Sequence, residues 1–239
     1  MIMSLPFYIS NFLSCFVQGR AKRHRFRGRV NCFLYRPIIA HVIRNNFGVK
    51  VKSIKFVRQQ TMGRFVCVVN DEYFVKIFRN ISREKLHNFE FLVNYISRFM
   101  NVFVPRIYIP KNNHMYITKK ASGFSIYDFD KEFVIQHEKQ ILNQVDNVIS
   151  ILQSVDIKNI PNAERFCVAL ESTTKNTSAE PVTDESVLGH FDLNVRNFLF
   201  DKNMNICGLI DFDSLRITND KTRDKEIFMK YWNRYKENV

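Results

Sequence analysis

The sequence predicts an α+β chain in two lobes, the first an antiparallel sheet with one helix, the second mostly helical. Three observations carry that reading. Period-two apolar alternation is concentrated between residues 51 and 118, and helical spacing dominates after residue 130. Between them, Lys119-Lys120-Ala121-Ser122-Gly123-Phe124 reads as a linker or hinge.

The elements follow in order. Val51–Val57 alternates apolar and polar residues, Phe65–Val69 is a short apolar run, Asn70-Asp71 signals a turn, and Tyr73–Phe78 resumes as a strand. Together they read as a three-stranded meander. Ser82 is placed to cap a helix running to about Phe99, with Leu86, Phe89, Leu92, Val93 and Ile96 at helical spacing. Two strands are expected near Arg106–Ile109 and Met115–Thr118, parted by a turn at Pro110. In the second lobe, Phe133–Leu152 reads as one long amphipathic helix. Residues 171–186 are polar and read as a mobile loop. Phe198–Phe200 and Ile206–Ile210 are short strands around a turn, and a last helix is expected near Arg223–Tyr235. Upstream, Phe33–Phe47 holds a helix with Ile38, Ile39, Val42 and Ile43 on one side. The expected division is a basic N-terminal extension over 1–48, a first lobe over 49–118 and a second over 119–239.

Composition narrows the function. With 46% hydrophobic residues among 239, the chain can bury a core, which excludes wholesale disorder. Five scattered cysteines without CxxC spacing argue against a disulfide framework or a zinc site and for a reducing compartment. The formal charge is +13, from 36 Lys and Arg against 23 Asp and Glu. Residues 1–50 hold nine of those bases and no acid, so the basic character is local. The apolar stretch Met1–Val17 precedes its positive charges, the reverse of a secretory signal, and Ser4, Pro6, Ser10, Asn11 and Ser14 interrupt it. A transmembrane helix is not expected there.

The chemistry is concentrated in Leu188–Phe200 and Leu209–Asp213. His190-x-Asp192-x4-Asn197 is followed by Asp211 beyond a hairpin that returns both ends to one place. Phosphoryl transfer needs a carboxylate to take or orient the proton of an attacking hydroxyl, and hard oxygen ligands to hold Mg²⁺ against nucleotide phosphates. Asp192 suits the first role; Asn197 and Asp211 suit the second.

This segment resembles the catalytic loop and metal-binding strand end of the protein-kinase-like fold. It is closer to aminoglycoside and choline phosphotransferases and to small bacterial lipopolysaccharide-core kinases than to eukaryotic protein kinases. Those families favour His-Gly-Asp-x4-Asn and then Ile-Asp-[Phe/Trp]-[Asp/Glu]; here Phe191 stands where Gly is common. The resemblance implies a two-lobed kinase-like fold with a shortened C-lobe, since only 28 residues follow Asp211. It implies ATP and Mg²⁺ as cofactors, Asp192 as catalytic base, Asn197 and Asp211 as metal ligands, and His190 as a structural residue of the loop. Asp213 is either a supporting or substrate-facing acid or a turn residue. Lys76, in mid-strand, would neutralise the α- and β-phosphates, held by a helix glutamate, Glu90 in preference to Glu84. Gly63, with Thr61 and Arg64, would lie in a phosphate-covering loop, and the backbone around Thr118 and Lys120 would pair with adenine.

The charge speaks to the acceptor. A +13 chain repels cationic aminoglycosides and suits anionic partners. The expected acceptor is a sugar hydroxyl on an anionic envelope glycolipid such as a lipopolysaccharide core. A minimal protein kinase, of the kind a secreted effector carries, and a non-catalytic pseudokinase are the alternatives. Leu5, Tyr8, Ile9, Phe12, Leu13 and Phe16 fall on one helix face beside the Arg20–Arg29 cluster. Two readings stay open for residues 1–29: docking on an anionic membrane surface, or packing on the core with a solvated basic arm. The cluster has little aromatic interleaving, which argues against nucleic acid. The expected location is cytoplasmic, with the membrane reading putting the chain on the inner face of the cytoplasmic membrane.

Overall fold

The computed structural model describes residues 5–15, 17, 20–61, 64–111, 114–167, 170 and 181–237. The chain divides into two compact units, Met1–Glu90 with Ile107–Lys120, and Phe91–Arg106 with Ala121–Val239.

The first unit opens with helices α1 (Leu5–Ser14) and α2 (Arg20–Phe47). Its sheet comprises β1 (Ile54–Thr61), β2 (Arg64–Val69), β3 (Tyr73–Phe78), β4 (Ile107–Tyr108) and β5 (Met115–Lys119), in spatial order β1-β2-β3-β5-β4. Every pairing is antiparallel, and the expected meander forms β1 to β3. Residues 20–47, divided in the sequence reading between an arginine cluster and an apolar patch, form one continuous helix. Its second half lays Tyr35, Ile39, Val42 and Ile43 against Phe65, Cys67, Val75 and Ile77 of the sheet. These positions follow helical spacing, so an apolar stripe packs on the sheet beyond the Arg20–Arg29 cluster, and α2 belongs to this unit's core rather than to a separate extension.

The crossing of α2 over β1 depends on Gly28. A Cβ there would lie 2.2 Å from the Phe56 ring, which itself stacks on Phe65 at 6.0 Å. Gly28→Ala gains about 1 kcal/mol of helix propensity but overpacks the Phe56 ring, at about 1–3 kcal/mol. The expected result is a net loss of about 1 kcal/mol, read as a lower urea midpoint.

Helix α3 (Arg83–Ile96) begins after Ser82, whose hydroxyl accepts the Lys85 N–H at 3.1 Å. In the second unit the helix predicted over Phe133–Leu152 is two helices, α4 (Lys131–Gln136) and α5 (Glu138–Ser154), broken at His137. Asp130 caps α4 through the N–H groups of Glu132 and Phe133. The break is capped locally: His137 Nδ1 donates to the Phe133 carbonyl at 2.8 Å. Strands β6 (Phe124–Ser125), β8 (Phe198–Phe200) and β9 (Ile206–Leu209) form one small sheet; β7 (Val187–Gly189) pairs antiparallel with β10 (Arg216–Thr218). Helix α6 (Arg223–Glu237) buries Phe228, Trp232 and Tyr235. It is pinned to the start of α5 by Trp232 Nε1 and Lys236 Nζ, each donating to Glu138 at 2.7 Å. Those two donors hold the Glu138 carboxyl below its ordinary pKa. Among the described residues, no helix is long and apolar enough to cross a membrane.

Candidate functional site

Asp192 lies in the irregular stretch between β7 and a 3-10 turn over Val195–Asn197 that leads into β8. It is half-buried, and its carboxylate is held on both sides. Asn194 Nδ2 donates to Oδ1 at 2.9 Å, and Asn197 Nδ2 to Oδ2 at 3.3 Å. Asn197, itself buried, also donates to the Asp192 carbonyl at 2.7 Å. A carboxylate and a carbonyl can only accept, so the Asn197 amino group faces Asp192 and its Oδ1 turns away. Asn194 has a second task, its Oδ1 accepting the Arg196 N–H at 2.9 Å to cap the turn.

His190 is fully buried, and its Nε2 lies 3.2 Å from the Ile210 carbonyl. The carbonyl accepts, so Nε2 carries the proton. The ring rests on Phe212, centroids 4.8 Å apart. In return, the Ile210 N–H donates to the Asn197 carbonyl at 2.9 Å. His190 and Asn197 thereby tie the Asp192 loop to the end of β9, where Asp211 sits in the left-handed region at φ 62° before a 3-10 turn over Phe212–Ser214. Asp213 is buried within that turn. The Asn197 amide oxygen and the Asp211 carboxylate are oxygen donors, the kind that suits a hard cation such as Mg²⁺ and not a zinc site.

Two features escaped the sequence reading. The first is Asp224 in the first turn of α6, buried, whose Oδ2 and Oδ1 accept the N–H groups of His190 and Phe191 at 2.7 Å each. The second is how the chain tolerates Phe191, which has φ 58°, a conformation that bulky side chains avoid and glycine takes freely. Its ring fills the space beside Gly189, where a Cβ would lie 2.6 Å from it. The Arg216 guanidinium, on the β10 residue paired with Gly189, covers the ring at 3.7 Å. Gly189, lacking a side chain, is thus what leaves room for the Phe191 ring.

The remaining candidates belong to the first unit. Lys76 is buried in β3, between Val66 of β2 and Tyr116 of β5, with Nζ 5.4 Å from the Tyr116 ring centre. Glu90 is the helix acid expected to face Lys76. Glu90 accepts from the Ile109 N–H at 3.1 Å and pairs with His87 Nδ1 at 3.1 Å, so both its oxygens are engaged at the β4 end of the sheet. Thr118 sits in the β5 ladder opposite Phe74 and Ile107. The Lys120 N–H already donates to the Glu72 carbonyl at 2.7 Å, so this amide is not open to an adenine edge. Gly63 lies outside the described residues.

The sequence matches no protein-family model and no curated protein. Solved structures do match. A macrolide 2′-phosphotransferase type I aligns with a TM-score of 0.56 at 14% identity, over 84% of this chain and 81% of that one. The gentamicin complex of APH(2″)-IIa gives 0.55 at 16% identity, over 84% and 81%. Macrolide 2′-phosphotransferase MphH from Brachybacterium faecium, as apoenzyme, gives 0.54 at 14% identity, over 84% and 82%. The chain has the protein-kinase-like fold. The five-stranded sheet β1 to β5 lies in the first unit, and the candidate residues Asp192, Asn197 and Asp211 lie in the second.

Proposed function

We propose that this chain is an ATP- and Mg²⁺-dependent phosphotransferase whose acceptor is a sugar hydroxyl of an anionic envelope glycolipid, such as a lipopolysaccharide core. The observation that carries the reading is the Asp192 carboxylate clamped by Asn194 and Asn197, with the Asn197 amide oxygen turned away from it. Neighbours of the same fold solved with ATP, ADP or GDP support a nucleoside triphosphate as donor.

Asp192 accepts the proton of the acceptor hydroxyl as its oxygen bonds to the γ-phosphorus. The bond from that phosphorus to the bridging oxygen breaks, and the electron pair leaves with ADP. Asn197 and Asp211 would hold Mg²⁺, which would supply neutralising charge for the phosphates. Lys76 supplies a further fixed charge for the α- and β-phosphates, and with Glu90 engaged elsewhere, Glu84 becomes the helix acid to test as its partner. Lys76→Met removes a charge-assisted contact of about 1.5–3 kcal/mol and is expected to lower kcat/KM for ATP by about 10- to 100-fold.

Neighbours solved with gentamicin or streptomycin hold polycationic antibiotics. A net charge of +13 disfavours such an acceptor and favours an anionic one. The test combines γ-labelled ATP and Mg²⁺ with a lipopolysaccharide fraction and a protein fraction as separate acceptors, beside the Asp192→Ala chain. Asp192-dependent label in the lipopolysaccharide fraction is the expected result. Label in protein bands would make it a minimal protein kinase. Absence of Mg·ATP binding and of label in both fractions would make it a non-catalytic chain.

A further inference from the structure

We infer that α1 is a docking helix that seats this chain on an anionic lipid bilayer. The helix is mounted inside out. Pro6, Ser10 and Ser14, one turn apart along a single stripe, face the protein, and both serines are 0% exposed. Leu5, Tyr8, Ile9, Phe12 and Leu13 face outward, with Leu5 57% and Phe12 67% exposed. A helix on a water-soluble surface places these faces the other way round. The reversal is built, not incidental. Arg27 of α2, buried, donates from Nε to Ser14 Oγ at 2.6 Å, and the Arg79 guanidinium lies 4.2 Å from the Tyr8 ring centre.

The charge beside this face selects the occupant. Lys22, Arg23, Arg25 and Arg29 of α2 are exposed, and residues 1–50 contain no acid to oppose them. An apolar helix face flanked by unopposed cations matches a bilayer interface, where side chains enter the acyl boundary and bases meet acidic headgroups. A second copy of the chain would bring two such basic segments together against repulsion. A nucleic acid would use the bases and leave the apolar face in water. The inference deepens the glycolipid reading, on which it rests for the acceptor alone, by bringing the chain to the surface that holds that acceptor.

The test is co-sedimentation of the full chain with vesicles of phosphatidylethanolamine containing phosphatidylglycerol, and with phosphatidylcholine vesicles. The wild-type chain is expected to prefer the anionic vesicles by about tenfold or more, a preference that high salt erases. Phe12→Gln with Leu13→Gln is expected to lower anionic-vesicle binding by roughly tenfold or more, and Arg23→Gln with Arg25→Gln by about tenfold. Because these side chains are exposed, thermal melting should be unchanged, and Phe12→Trp should add a blue-shifted emission on anionic vesicles. Equal binding to both vesicle types, or undiminished binding of the apolar pair variant, would overturn the inference. So would a wild-type dimer that the apolar pair splits in the absence of vesicle binding. Mg·ATP binding and Asp192-dependent label transfer, read on the same preparations, separate this failure from failure of the phosphotransferase reading.

Discussion

Asp192→Asn is expected to lower kcat for phosphoryl transfer by about 10²–10⁴-fold while leaving ATP affinity and the melting temperature close to wild type. The asparagine side chain is isosteric, and its oxygen can still accept from Asn194 or Asn197, which hold the aspartate at 2.9 and 3.3 Å. What it lacks is a lone pair basic enough to take a hydroxyl proton. A loss of this size confined to kcat is the signature of a group acting only in the transition state. The measurement is steady-state kinetics in both substrates beside a nucleotide-binding titration. Retained turnover would remove Asp192 from the chemistry. A parallel loss of ATP binding would instead assign the residue to holding the loop. Asn197→Ala separates the neighbouring roles: it releases the Asp192 carbonyl and removes the amide oxygen proposed as a metal ligand, so it should raise the Mg²⁺ concentration needed for half-maximal rate.

The Asp192 loop is legible in a linear sequence because the contacts that shape it are local. Asn194 and Asn197 reach Asp192 from two and five residues away. The meander of β1 to β3 is legible for the same reason, its strands being separated by short turns. Non-local partners leave no such trace. Asp224 meets backbone groups 33 and 34 residues upstream, and in sequence it is only an acid in a helix's first turn, where complementing the dipole is motive enough. Glu90 sits at good helical spacing for the sheet, yet the Ile109 amide, 19 residues on, takes its carboxylate first. Phe191 looked like a departure from a glycine-preferring pattern. Its left-handed backbone shows that the preference is conformational, and that Gly189, Arg216 and Asp224 compensate for it. For α1, periodicity finds the apolar face but carries no sign for whether that face points in or out. Only the buried serines supply it.

Asp224 is the residue whose removal should cost the most stability. Its carboxylate, almost without solvent, accepts two backbone N–H groups at 2.7 Å, both on the loop that presents Asp192. Asp224→Ala leaves two buried donors unsatisfied at about 1–3 kcal/mol each, so a loss of about 2–6 kcal/mol is expected, a large share of the 5–15 kcal/mol typical of a folded chain. Asp224→Asn is the more informative variant. It keeps one acceptor but turns an amino group toward a backbone N–H, so about half that loss is expected, read by urea denaturation. If Asp224 merely stabilises the fold, kcat corrected for the folded fraction will be unchanged. As a positioning residue it acts through the backbone of His190 and Phe191, so corrected kcat should fall with KM for ATP unaltered. The strain at Phe191 provides a second reading. A bulky residue at φ 58° costs about 1–2 kcal/mol, and part of what Asp224 contributes is to hold that conformation. Phe191→Gly should therefore reduce the cost of Asp224→Asn by about 1 kcal/mol in a double-mutant cycle. Strict additivity would mean that the two residues act on the loop independently, and that the carboxylate does not serve to hold the strained backbone beside Asp192.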